Sequence, residues 1–220
     1  DTVGYLKSVI NNKVSLQVEG NGYTDETVII FRDDATAGFE SDYDAYKLES
    51  QQSGVPTIYS VGSTNLAVNV LPQSDVVELG FKADINATFT ISANEINDIG
   101  DVLLEDTFTG EITDLNISSY SFDYSTDDNT NRFIVHFTPL GIDVNSEKSI
   151  FNIYSFNNNA YVTAAENTQG EIFVYNTMGQ MIAVSVITNT LNKIYIKKAG
   201  YYIVKVMSDN IVETGKIFIK

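Results

Sequence analysis

The 220-residue chain has no cysteine and no tryptophan, three prolines, a single histidine, and no apolar run of about 18 residues. Without cysteine it has neither a disulfide nor a thiolate to act as nucleophile or metal ligand. Without a long apolar run it has no membrane-spanning helix. One histidine cannot build a multi-histidine metal centre. His136 alternates with Phe133, Val135 and Phe137. That places it on the opposite face of a strand, in a structural role. No G-x-S-x-G, glycine-rich phosphate loop, H-E-x-x-H or C-x-x-C is present. Carboxylate pairs of the glycosidase kind carry no signal among 29 acidic residues, because so many pairs exist. No enzyme is expected. Missing tryptophan weakens a sugar-stacking role, although 13 tyrosines and 12 phenylalanines remain.

Basic residues are also few, 13 against 29 acidic ones, and they are unevenly placed. Residues 1–144 hold 24 acidic and 6 basic side chains, whereas residues 145–220 hold 5 and 7. The first part is thus net −18 and the second +2. A body this acidic repels phosphates, so nucleic acid is not an expected partner. The shift coincides with the polar stretch "GIDVNSEKS" and sets an expected boundary between 1–144 and 145–220. The chain begins at Asp1 without methionine or a signal peptide, which reads as a fragment of a longer protein.

Helical periodicity is nearly absent and alternation is common. Val14/Leu16/Val18, Val77/Leu79/Phe81, Phe89/Ile91/Ala93 and Phe133/Val135/Phe137 each put apolar side chains on one strand face. Thr27–Phe31, Asn65–Val70, Val102–Asp106, Glu111–Leu115 and Tyr120–Tyr124 read as further strands. Turn residues, including Glu19-Gly20-Asn21-Gly22 and Thr109-Gly110, lie between them. The expectation is an all-β protein, with an N-terminal antiparallel, jelly-roll-like β-sandwich and a smaller sandwich behind it. The long polar stretch Arg32–Ser50 is the exception. Its carboxylates Asp33, Asp34, Asp42 and Asp44 are candidate ligands for Ca2+, a hard ion that takes six to eight oxygens. EF-hand spacing is missing, and the competing reading is a solvated loop whose aspartates cap turns. No other cofactor is expected. A second acidic turn, Asp123 with Asp127, Asp128 and Asn129, reads as structural.

The last stretch, Gly170–Lys220, is a run of short apolar strands. Asn176-Thr177-Met178-Gly179 reads as a hairpin turn, with Gly179 at a position that needs positive φ, and Gly200 opens the next strand. Ile194 and Ile196 share one face of their strand, as do Ile217 and Ile219 of theirs. Lys216, Phe218 and Lys220 occupy the other face. Burial of the two terminal isoleucines contributes about 3–6 kcal/mol, so the lysine face should be exposed. The simplest account of it is an edge strand guarded by lysines.

In order and spacing, "EIFVYNTMGQMI", "AGYYIVKV" and "GKIFIK" resemble the C-terminal sorting domain of proteins exported by the type IX secretion system. The likeness covers roughly Ile150 to Lys220. Where many members begin with Pro-Asn-Pro, this chain reads "FNIYSFNNNAYV". The segments "ATAGFESDYDAYKLES" and "LLEDTFTGEITDL" are similar to stretches ahead of such domains in large type IX surface proteins. The resemblance implies an Ig-like sandwich that acts as an export and attachment signal, with Gly179, Gly200, Tyr202, Lys205, Lys216, Phe218 and Lys220 as recognition residues. It implies the type IX translocon and outer-membrane shuttle and sortase proteins as partners, at the surface of a Gram-negative bacterium. The acidic part would then be cargo, such as part of an adhesin. The alternative is a carbohydrate- or ligand-binding module, with glycans as partners and possible dependence on Ca2+.

Overall fold

Alternating apolar and polar residues force a chain to pair strands so that one face can leave water. The computed structural model describes residues 10–137, 151–165, 167–209 and 211–220. No helix occurs among them, and none is therefore long and apolar enough to cross a membrane. The chain divides into two compact units, Asp1–Leu140 and Gly141–Lys220. The junction expected around residues 141–149 lies outside the described residues.

The first unit contains β1 (Lys13–Gly20), β2 (Tyr23–Phe31), β3 (Ala45–Tyr46), β4 (Thr57–Val61), β5 (Asn65–Leu71), β6 (Val76–Lys82), β7 (Ala87–Asn97), β8 (Val102–Asp106), β9 (Ile112–Asp114), β10 (Tyr120–Tyr124) and β11 (Phe133–Phe137). They form one sheet in the order β10-β7-β1-β2-β5-β4-β6-β11-β8-β9, with β3 on β5. The sheet folds over on itself. Phe81 of β6 packs on Phe89 of β7 at 4.9 Å and on Phe122 and Tyr124 of β10 at 5.0 and 4.8 Å, while Phe31 of β2 meets Phe137 of β11 at 4.9 Å. Strands from the two halves of the order thus face each other across one apolar core, which includes Val14, Leu16, Val18, Val77, Leu79, Val135 and Phe137. The β1–β2 hairpin closes on Asn21 and Gly22, both at positive φ (52° and 78°), as a two-residue turn between right-twisted strands requires. The sandwich is not wholly antiparallel: β2 runs parallel to β5, in register Val28↔Val68. A parallel neighbour needs a long crossover, and residues 32–64, which include β3 and β4, supply it.

The second unit contains β12 (Asn152–Phe156), β13 (Asn159–Thr163), β14 (Glu171–Asn176), β15 (Met181–Val186), β16 (Leu191–Tyr195), β17 (Gly200–Ser208) and β18 (Ile211–Ile219). Three strands, β12-β13-β16, and four, β15-β14-β17-β18, make two antiparallel sheets. Both sheets feed one core: Ala160, Val162 and Ile194 from one, and Ile172, Val174, Val204, Val206, Ile217 and Ile219 from the other. Three strands against four is an immunoglobulin-like arrangement. β18 begins at Ile211, well ahead of the alternating residues 216–220. Glu213-Thr214-Gly215 resembles a turn in sequence but is continuous strand, and a Cβ on Gly215 would come within 2.8 Å of Ile153. Glycine there permits β12 to cross close to β18.

Candidate functional site

The carboxylate loop resolves into separate local tasks. Arg32 donates from Nε and Nη2 to the two oxygens of Asp34, each at 2.8 Å, and its guanidinium lies 4.6 Å from the centre of the Tyr43 ring. The hydrogen bonds from Arg32 hold the Asp34 carboxyl below the usual carboxylate range. Asp44 is buried and caps backbone groups, accepting from Glu40 N–H and Val70 N–H at 2.7 Å each. Asp33 and Asp42 are exposed. Among the described residues no group of three His, Asp or Glu is placed to hold a metal ion. The expected Ca2+ ligands Asp33, Asp34, Asp42 and Asp44 are thus not gathered into such a group. Asp34 is committed to a guanidinium and Asp44 to amide donors. What the loop does form is an open pocket of about 600 Å³, lined in part by Asn11, Asn12, Arg32, Asp33, Asp42 and Tyr43.

The second acidic turn is structural, as its sequence suggests, but through a residue that gave no signal. Arg132 is 4% exposed. It donates from Nε and Nη2 to Asp106 at 2.9 and 2.6 Å, and from Nη1 to the Asp123 carbonyl at 2.9 Å and to Asp128 at 3.3 Å. The rings of Phe108, Phe122 and Phe133 lie 4.9–5.4 Å from the guanidinium carbon. Asp106 also accepts from the Tyr120 hydroxyl at 2.7 Å and from Phe108 N–H at 2.9 Å. His136 is fully buried beside Glu105, with Nε2 and Oε2 2.9 Å apart.

In the terminal unit, strand pairing sorts the expected recognition residues. Gly179 occupies the β14–β15 turn at φ 77°, and the Asn176 side chain accepts from Met178 N–H and Gln180 N–H at 3.0 Å each. Gly200 opens β17 at φ 145°, a conformation L-residues rarely adopt. Lys205, Lys216 and Phe218 stand on the outward face of the four-stranded sheet. The Lys216 ammonium lies 4.4 Å from the centre of the Tyr201 ring, and Phe218 packs on the same ring at 4.9 Å. Lys220 follows β18 and is exposed. Tyr202 does not belong with them. It is 7% exposed, lies in the core, and donates its hydroxyl to the Lys198 carbonyl at 2.8 Å. A tyrosine near the start of this strand, bonded to backbone a few residues upstream, is the tyrosine corner of Ig-like sandwiches. The Gly200-x-Tyr202 pattern is thus accounted for by the fold. Alternation from Val204 and Val206 would have placed Tyr202 inside and Tyr201 outside.

The outward face is strongly apolar. Across the register Val184–Phe173–Lys205–Thr214, and the rows beside it, it presents Ile182, Val184, Val186, Tyr201, Ile203, Met207, Val212 and Phe218. Each is 39–56% exposed. Exposed apolar patches of this extent mark interaction surfaces.

Residues 9–137 match the family described as Domain of unknown function (DUF8693). No curated protein matches the chain, and no solved structure matches it.

Proposed function

The chain belongs to the DUF8693 family, and from its own residues we propose that its second unit is a type IX export and surface-attachment signal carried behind an acidic cargo-side sandwich. The observation that carries this reading is the placement of the three resembling stretches. They fall on β14 with the β14–β15 turn, on β17, and on β18, which are neighbours in one sheet. Lys205, Lys216 and Phe218 share the outward face of that sheet with an exposed apolar surface. The signal is read as a surface, while Tyr202 and Gly200 serve the fold beneath it. The partners in this reading are the translocon and the outer-membrane shuttle and sortase proteins, and the destination is the cell surface.

The test is a secreted reporter fused ahead of the full chain in a bacterium with a type IX system. The reporter is expected outside the cell. Lys216→Ala combined with Lys220→Ala should change stability by no more than about 0.5 kcal/mol, as surface substitutions do, yet leave the reporter inside. Export of the folded double variant at the unsubstituted rate would remove the lysines from recognition. Retention of the unsubstituted fusion would overturn the reading.

A second reading, ligand binding by the acidic unit, is favoured by the pocket at Arg32 and Tyr43. Its Arg32–Asp34 pair, two free-standing carboxylates and two asparagines offer donors and acceptors for a polar, neutral or cationic small molecule such as a glycan. A glycan array followed by calorimetric titration is the measurement. Binding that falls at least tenfold in Arg32→Ala supports this reading, and an array without hits sinks it.

A further inference from the structure

Edge strands template association unless something blocks them. The four-stranded sheet has two edges, and they differ. β18 carries Glu213 and Lys216, and its edge is engaged by β12, with Ser155 Oγ donating to the Phe218 carbonyl at 2.8 Å. β15, Met-Ile-Ala-Val-Ser-Val, has no charge and no proline, and no described strand pairs with its outer side. Ile182, Val184 and Val186 are 44, 55 and 56% exposed.

The hydrogen-bond pattern settles what that outer side offers. Ile187 N–H donates to the Gly170 carbonyl at 2.9 Å, which makes Gly170/Ile187 a hydrogen-bonded pair at the end of the β14–β15 ladder. Bonded and non-bonded pairs alternate along an antiparallel ladder. With the register Ile172↔Ser185, Phe173↔Val184 and Val174↔Ala183, Ser185 and Ala183 turn their backbone groups toward β14. Ile182, Val184 and Val186 turn theirs to the open edge, where the Val186 carbonyl takes only the neighbouring Ser185 hydroxyl at 3.3 Å.

We infer that β15 is a homotypic docking edge, and that a second copy of this chain pairs its own β15 antiparallel to it about a two-fold axis at Val184. Self-pairing requires outward residues to oppose outward residues and open donors to oppose open acceptors. Val184↔Val184 with Ile182↔Val186 meets both conditions and centres the five residues 182–186. The result is a continuous eight-stranded sheet in which the apolar rows of the two β15 strands meet at the seam. The charges on this face stand back from the seam: Glu171, the nearest, is on β14 opposite Val186. Lys205 lies two strands from the edge and Lys216 three, so equivalent Lys205 residues stand about 24 Å apart at the usual strand spacing, well beyond the ionic screening length of about 8 Å at physiological salt. A partner strand bearing charge would set that charge against three valine or isoleucine side chains, whereas β15 itself brings the matching apolar row.

The absence of native cysteine makes the register directly testable. Across a hydrogen-bonded antiparallel pair the Cα atoms are about 5.5 Å apart, within the range that a disulfide spans. The full chain carrying Val184→Cys should form a disulfide-linked dimer on mild oxidation. Val212→Cys, equally exposed but on β18, should do so at least tenfold more slowly. In sedimentation equilibrium the unsubstituted chain should rise from 24.3 kDa toward twice that mass with concentration. Val184→Thr should follow it, and Val184→Lys should stay monomeric with an unchanged circular dichroism spectrum. An unsubstituted chain that stays monomeric at all concentrations overturns the inference. So does crosslinking of Val184→Cys no faster than that of Val212→Cys, or a Val184→Lys variant that still dimerises. None of these outcomes bears on export.

Discussion

Arg132→Ala is expected to destabilise the first unit by about 3–5 kcal/mol, the usual effect of leaving one member of a buried ion pair alone. The geometry places the effect at the upper end. Removing the guanidinium strands the Asp106 carboxylate between rings, with only Tyr120 O–H and Phe108 N–H left as donors. It also leaves the Asp123 carbonyl without its donor and opens a hole among Phe108, Phe122 and Phe133. At roughly 2–8 °C per kcal/mol for a unit of this size, the melting temperature should fall by ten degrees or more. Arg132→Lys should recover only part of this, because an ammonium cannot make the two-point contact. A loss under about 1 kcal/mol for Arg132→Ala would mean that water reaches Asp106 and that the pair is ordinary surface chemistry.

The same pair sets an acid limit. Burial alone pushes the Asp106 carboxyl up, but hydrogen bonds from Arg132, Tyr120 and Phe108 N–H outweigh it and bring the carboxyl below its ordinary value. A folded value below the unfolded one, about 3.9 for aspartate, gives stability that is complete above that pH. It is lost as pH falls through the folded value. Acid unfolding of the first unit should therefore set in below about pH 4. In Asp106→Asn the stability should be lower at neutral pH and its slope below pH 4 shallower.

Tyr202→Ala is the second large effect. Deleting a buried aromatic side chain costs about 3–5 kcal/mol, and here it also removes the bond that ties the start of β17 to Lys198. Tyr202→Phe keeps the ring and loses one hydrogen bond, about 0.5–1.5 kcal/mol. Hydrogen exchange at the β17 and β18 amides in the full chain separates the two variants, since it reads the second unit alone. In the reporter assay Tyr202→Phe should be exported and Tyr202→Ala should not. If Tyr202→Phe abolished export while its amides stayed protected, the hydroxyl would be part of the recognition surface after all.

These predictions divide along a line that runs through the sequence itself. Strand faces were legible wherever alternation was clean. Ile217 and Ile219 go in and Lys216 and Phe218 go out because the side-chain period of a strand is two and burial sets the sign. Glu19-Gly20-Asn21-Gly22 is legible as a turn, and the structure makes it a hairpin at Asn21-Gly22, since few residue pairs tolerate two positive φ angles in succession. The outward face is therefore half visible in the sequence: alternation puts Lys216 and Phe218 on it, while the Gly200-x-Tyr202 pattern suggests Tyr202 beside them although alternation places Tyr202 inside. Local spacing could not say which carboxylate meets which cation. Asp106 and Arg132 are 26 residues apart, and Asp44 is taken by the amide of Val70, also 26 residues away. Only the order of strands brings them together, as it alone makes β2 parallel to β5 and lets β12 cross Gly215. The sequence determined the period, the turns and the charge partition, because each depends on neighbours in the chain. Tertiary structure decided the partners, because those depend on which strands share an edge.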